Sequence, residues 1–323
     1  MSDLLMLDAH CDSLILRESR GDPMDLAVAD PIYHVDLPRL RAGGVGCLFT
    51  MVGDSDLRQS GILLGAAHAM CENHPADFRL CTTAAEVRAA NDDGPIAIVL
   101  TIEGQKMFDE RIEHLHNRHR LGVRVASITH GGGGRPELQV DRSFFGYITP
   151  EQREDLRRHS RGLTAFARES LAEMTRLGIA ADLAHINDAA FWEVIEVAEC
   201  PLCYTHGCCY GECAHSRGLT DEMMKALAAK GGVMGIAFYR QFIDPDEPTL
   251  GRLCDHFLHA LEVMGPEHVG IGSDFDGVPR HLRTIPEDPT GVTELLEALS
   301  ARGVDDATLA GIARENFLCI LPA

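Results

Sequence analysis

The segment Asp8-Ala9-His10-Cys11-Asp12-Ser13 offers an imidazole and a carboxylate two residues apart. It follows an apolar run, Leu4-Leu5-Met6-Leu7, that reads as a buried strand. Strand side chains alternate between faces, so His10 and Asp12 point one way and Cys11 the other. Side by side at a strand end, the pair makes half of a metal site. The motif is short and common, and a lone histidine at a strand end is more often hydrogen-bonded than ligating. Its weight comes from five further residues in the same setting. Glu103, His130, His185, His206 and Asp274 each close an apolar run of strand character.

Those runs set the architecture. After the first strand, residues 45–51, 96–102, 123–129, 179–184, 202–205, 233–239 and 269–273 read as seven more. Helical spacing fills most intervals, at about 57–72, 109–121, 163–177, 188–198, 220–230, 250–264, 292–301 and 306–317. Thr220 suits an N-cap with Asp221 and Glu222 in the first turn, and Gly178 suits a C-terminal stop. Eight strands, each followed by helix or loop, in 323 residues predict an α/β chain folded as one (β/α)8 TIM-type barrel. A doubly wound open sheet is the alternative. The polar stretch 131–161 opens with four glycines and reads as a long, flexible active-site loop. A phosphate cradle is disfavoured, because no Lys-Ser or Lys-Thr follows the glycines.

Barrel enzymes keep their chemistry at the C-terminal strand ends, so the seven residues should converge on one mouth. Valine, isoleucine and leucine would otherwise fill a barrel interior there. Imidazoles and carboxylates without thiolate suit Zn²⁺ or a similar divalent ion. His10, Asp12, Glu103, His185 and His206 are too many for one tetrahedral ion with an open position. Two ions ~3.5–4 Å apart that share a carboxylate would use them all. Glu103, between the His10/Asp12 and His185/His206 pairs, is the expected bridge. Water between two such ions ionises near neutral pH, so metal-assisted hydrolysis is the expected chemistry. Asp182 is left without a role.

Composition narrows the classes. The apolar fraction is 45% and the charged fraction 24%, ordinary for a globular protein with a large core. The net charge of −20 argues against nucleic acid or an anionic membrane as partner. No apolar run reaches the ~18 residues of a membrane span. Residues 1–10 lack a signal-peptide pattern, so a cytoplasmic location is expected. Eleven cysteines, an odd number, read as buried thiols in a reducing compartment. Cys200-x-x-Cys203 is half of a structural zinc pattern or a redox pair, but the adjacent Cys208-Cys209 does not complete it, and packing is the preferred reading.

With these residues in view, the chain resembles the membrane (renal) dipeptidase family of zinc dipeptidases, a branch of the amidohydrolase-like barrels. The matching segments include Asp8 to Ser13, His34 to Gly46, Ile102-Glu103-Gly104, Ile128-Thr129-His130, Gly162-Leu163-Thr164, Asp182 to His185, Arg217 to Asp221 and Gly272 to Gly277. They run from the first strand to the last. The resemblance implies two Zn²⁺ per chain, one held by His10, Asp12 and Glu103, the other by Glu103, His185 and His206. It implies that His130 contacts the scissile carbonyl oxygen, that Arg217 pairs with a substrate carboxylate, and that Asp274 exchanges protons with the water and the leaving amine. Tyr239 resembles a pocket-lining position. The implied substrates are dipeptides, many with a D-residue at the C-terminal side, hydrolysed by a metal-bridging hydroxide. A homodimer is compatible with this reading.

The chain departs from the family pattern around the ligands. Gly131 to Gly134 replace an asparagine after His130, Ala184 replaces a serine, Thr205-His206-Gly207 replaces Ser-His-Ser, and Gly218 replaces an asparagine. Changes around ligands can weaken metal binding ~10–100-fold. They bear on substrate choice more than on reaction type. The alternative function is therefore a relative that cleaves a non-dipeptide amide in a biosynthetic pathway, or one that binds metal without catalysis.

Overall fold

The computed structural model describes residues 4–109, 111–130, 145–278 and 283–323. Eight parallel strands follow one another around a nearly closed barrel: β1 (Met6–Cys11), β2 (Val45–Met51), β3 (Ile96–Ile102), β4 (Val123–Ser127), β5 (Ala180–Asp182), β6 (Leu202–Cys209), β7 (Val233–Ile236) and β8 (Val269–Ile271). All eight lie where the apolar runs predict them, and the sheet is not an open, doubly wound one.

Side-chain alternation shows which residues face inward. In β3, Ile96, Ile98, Leu100 and Ile102 share a buried cluster with the helix residues Leu63, Leu64 and Leu115. Ala97 and Val99 belong to the other cluster, with Leu7, Phe49, Val125 and Phe317. The two-residue period then carries Thr101 and Glu103 to the side away from the helices, into the barrel mouth.

The seam between β8 and β1 is mostly polar. Its ladder reduces to one parallel bridge, Cys11 with Phe275. The Asp12 amide donates to Phe275 O at 3.0 Å, and the Asp274 amide to His10 O at 3.3 Å. Buried Asp8 completes it. Its carboxylate accepts from the Ser273 amide at 2.8 Å, from the His10 amide at 3.3 Å and from the Ser273 hydroxyl. Burial outweighs these bonds and pushes the Asp8 carboxyl up to about 6.

The flanking helices begin where side chains can cap them. Asp56, Thr83, Thr164, Asn187, Thr220 and Thr249 each accept from the amide three residues on. Gly178 ends the helix Ala165–Leu177 at φ 69, as expected of a C-terminal stop.

Four local differences from the expected elements matter. β6 runs on to Cys209 because Cys208 and Cys209 pair with a short strand, Gly218–Leu219. His206 therefore sits within a strand rather than at its end. β5 and β8 stop early, and the chain then turns through His185 and Asp274 at φ 65 and 63. A short strand Phe78–Leu80 and a helix Ala84–Asp93 precede β3. The stretch 131–161, expected to be loop, carries a helix at Pro150–His159 with a Thr149/Gln152 capping box. Residues 131–144 of that expected loop, with Gly131 to Gly134, lie outside the described residues.

Candidate metal centre and active site

His10, Asp12, Glu103, His130, His185, His206, Arg217, Tyr239 and Asp274 line one cavity of about 250 Å³, with Phe145, Phe242, Gly277 and Val278. The residues expected as metal ligands or substrate contacts are thus in one place. A larger cavity, about 610 Å³, lies between Tyr33, His34, Arg39, Arg283, Thr284, Glu287 and Asp288 and holds none of them.

Glu103 is at the centre. Its Oε1 lies 3.0 Å from His185 Nε2 and 3.6 Å from His206 Nε2, and its Oε2 lies 3.4 Å from His130 Nε2. His185 and His206 bring their Nε2 atoms to 3.1 Å. The His10 ring lies 3.8 Å from that of His206, centroid to centroid. His10 Nε2 is 3.2 Å from Asp12 Oδ2 and 4.0 Å from Asp274 Oδ1. Three sets of donor atoms each lie within 4.8 Å of one another: His10, Glu103 and His206; Glu103, His130 and His185; His10, Asp12 and Asp274. Glu103 belongs to two of them. His130, expected as a carbonyl contact, stands in one set, so the ligand shell can divide in more than one way.

These residues fit a cation. Glu103 Oε1 is buried without a hydrogen-bond partner. Burial disfavours charge on His10, yet Asp12 and Glu103 overcome it and push the imidazole up to about 10. Such a cluster of carboxylates requires positive charge, which divalent ions on imidazole and carboxylate donors supply. Burial would also raise Glu103, but the His130 and His10 imidazoles hold it well below the carboxylate range. Burial and the Arg217 guanidinium push His185 down to about 3, which leaves it a neutral donor. Burial, aided by Asp12 and opposed by His10, pushes Asp274 up to about 7.

The residues behind the donors are those that sequence reasoning left without a role. Asp182 Oδ1 accepts from the Ala184 amide at 3.0 Å and the Thr205 amide at 2.9 Å. Thr205 Oγ1 donates to Asp182 Oδ2 at 2.8 Å and lies 2.9 Å from His206 Nδ1. A hydroxyl has one proton, so Thr205 accepts from Nδ1–H, and His206 presents the Nε2 lone pair to the cavity. The Asp-x-x-His spacing before Thr205-His206 was the available signal. Gly277 is the floor beneath two acids: a Cβ there would stand 2.2 Å from Asp12 Oδ2 and 2.3 Å from Asp274 Oδ1.

Arg217 is held by the short Gly218–Leu219 ladder. Its Nη1 reaches His185 at 2.9 Å, its Nη2 donates to His206 O at 3.2 Å, and its Cζ lies 5.5 Å from the Phe242 ring centroid. Cys200 and Cys203 are buried free thiols, and among the described residues no metal-capable group contains a cysteine. Also among the described residues, no helix is long and apolar enough to cross a membrane.

Known proteins resemble this chain in sequence and in fold. Dipeptidase aclJ of Aspergillus oryzae is 31% identical over 315 residues, covering 90% of this chain and 70% of that one. Dipeptidase verJ of Clonostachys rogersoniana is 30% identical over 312 residues, covering 90% and 76%. A metallopeptidase of Rhodobacter sphaeroides, solved with a phosphinate mimic of the dipeptide L-Ala-D-Ala, superposes with a TM-score of 0.88 at 24% identity over 98% of each chain. Residues 1–323 match the family described as membrane dipeptidase (peptidase family M19), and the chain belongs to that family of metal-dependent hydrolases.

Proposed function

We propose that this protein is a dinuclear zinc dipeptidase. The observation that carries the reading is the position of Glu103, shared between the His10/His206 side and the His130/His185 side of a single cavity that also contains Arg217 and Asp274. His10 and Asp12 would hold one ion, His185 and His206 the other, with Glu103 between them. When bound, such ions acidify water and polarise a carbonyl.

The chain's own groups do the rest. Arg217, its guanidinium held by His185 and the His206 carbonyl, presents a planar fork to the free carboxylate of the substrate. His130, at 3.4 Å from Glu103, is placed to steady the oxygen of the scissile carbonyl. Asp274 borders His10 and the cavity, where its carboxylate can take a proton and return it to the leaving amine. Tyr239 closes the wall beside them.

Metal analysis together with a dipeptide panel, D-residues included, tests this reading. Two zinc ions per chain and turnover of dipeptides with a free carboxylate are expected. Arg217→Ala should lower kcat/KM roughly 100-fold or more, as loss of a charged substrate contact does. A metal-loaded protein inert toward the whole panel would favour the alternative of another amide substrate or a non-catalytic role.

A further inference from the structure

Beside the metal-binding residues stands a wall of rings. Tyr239 and Phe242 meet at 4.9 Å between centroids. Phe145 lies 5.9 Å from Phe242 and 6.5 Å from Tyr239, and His215 packs 4.7 Å from Phe242 and 4.9 Å from Phe145. Three of these residues are buried, Tyr239 at 3%, Phe242 at 1% and His215 at 1% exposure. Phe145 is 45% exposed, a large apolar side chain left open to water at the cavity. Val278 completes the lining.

Arg217 stands on the border of this wall. Its Nη1 touches His185 among the metal-binding residues, and its Cζ lies over Phe242. A substrate carboxylate held by Arg217 is therefore at the line between two surfaces. The scissile carbonyl must lie on the side of the carboxylates and imidazoles. The side chain carried by the same residue as the carboxylate is left with the rings. Phe145, Tyr239, Phe242 and Val278 carry no charge, and His215 spends its Nδ1 on the Arg217 amide at 3.1 Å. A charged side chain placed there would lose its hydration and gain no opposite charge from these residues, only a neutral partner, the Tyr239 hydroxyl or the His215 Nε2–H. An apolar one would cover Phe145 and remove its exposed surface from water.

We infer that the enzyme selects dipeptides whose C-terminal residue is apolar, aromatic or large aliphatic, through the wall built by Phe145, Phe242, Tyr239 and Val278. The inference rests on the reading of Arg217 as the carboxylate contact.

The test is a series of alanyl dipeptides with Gly, Leu, Phe, Asp or Lys at the C-terminal position, in both configurations, on zinc-loaded protein. Leu and Phe should exceed Gly, Asp and Lys by roughly tenfold or more in kcat/KM, the discrimination a hydrophobic pocket gives. Phe145→Ala, an exposed position that should not disturb folding, should cut the Phe-to-Gly ratio of kcat/KM at least threefold, and Phe242→Ala should cut it further. A flat series, a preference for Asp or Lys, or an unchanged ratio in Phe145→Ala would overturn the inference while leaving the dipeptidase reading intact. No turnover of any member would instead remove that reading, and this inference with it. Equal turnover of alanyl-phenylalanine and its C-terminal amide would remove the Arg217 premise, and this inference with it, while leaving hydrolysis at the metal-binding residues intact.

Discussion

His206 and His10 face the same cavity with different backing. His206 Nδ1 is bound through the Thr205 hydroxyl to the buried Asp182 carboxylate, whereas His10 Nδ1 has no hydrogen-bond partner. A hydrogen-bonded carboxylate behind an imidazole fixes its tautomer and raises its basicity. Asp182→Asn should therefore weaken metal binding ~10–100-fold, read by competition with a chromophoric chelator, while circular dichroism stays native. Unchanged affinity would mean that Asp182 only braces β5 against β6. His215 gives a second prediction. Burial, then Arg217, pushes it down to about 3, so it is neutral when folded and protonates near its ordinary value when unfolded. Below about pH 6.5 the unfolded chain binds the extra proton, and stability falls as pH falls. In urea unfolding at pH 7.5 and 5.5, wild type should lose on the order of 1 kcal/mol more than His215→Gln, which keeps an acceptor but does not titrate. Parallel losses would dissociate His215 from the acid limb.

The elements divide by how local their causes are. Strands β1 to β4 and most helices could be read from the sequence because apolar period and capping residues act within one segment. Glu103 and His130 were legible for that reason. The short Gly218–Leu219 strand was not, since two residues carry no period and exist only by pairing with Cys208 and Cys209. The turns at His185 and Asp274 were not either: positive φ in non-glycine residues is imposed by surroundings, not propensity. The seam is another product of tertiary context. Asp8 ties the end of β8 to β1 through Ser273, so Asp8→Ala would strand the Ser273 amide at a cost of roughly 1–3 kcal/mol. Hydrogen exchange should then quicken first in β1 and β8. Uniform acceleration over all strands would deny the seam its special part.

For the molecule as a whole, the sequence shows a barrel and a set of candidate ligands, but not the ring wall beside them. Phe145, Phe242 and Val278 come from three segments with nothing in common except the apolar character that any core residue has. The cysteines show the same distinction between type and place. Nine of the eleven are buried, Cys71 is half-buried and Cys319 is exposed, all as free thiols. Burial pushes Cys71 and Cys81 up to about 12, which keeps their thiolates scarce. Native protein at pH 8 should show one fast thiol toward a disulfide reagent, assigned to Cys319 by peptide mapping, and eleven after denaturation. Several fast thiols in the native state would contradict the packing of the Cys200 to Cys213 region.

The two-rung ladder that ties residues 208–209 to 218–219 also acts as a gauge. It holds His206 and Arg217 on one stiff piece of backbone, so the span from hydrolytic centre to anchoring cation cannot stretch. On the proposed assignment, a peptide bond can be cut only when a chain terminus lies one residue beyond it. A further residue on the C-terminal side would carry the carboxylate past the guanidinium, and selection on that side then needs no lid.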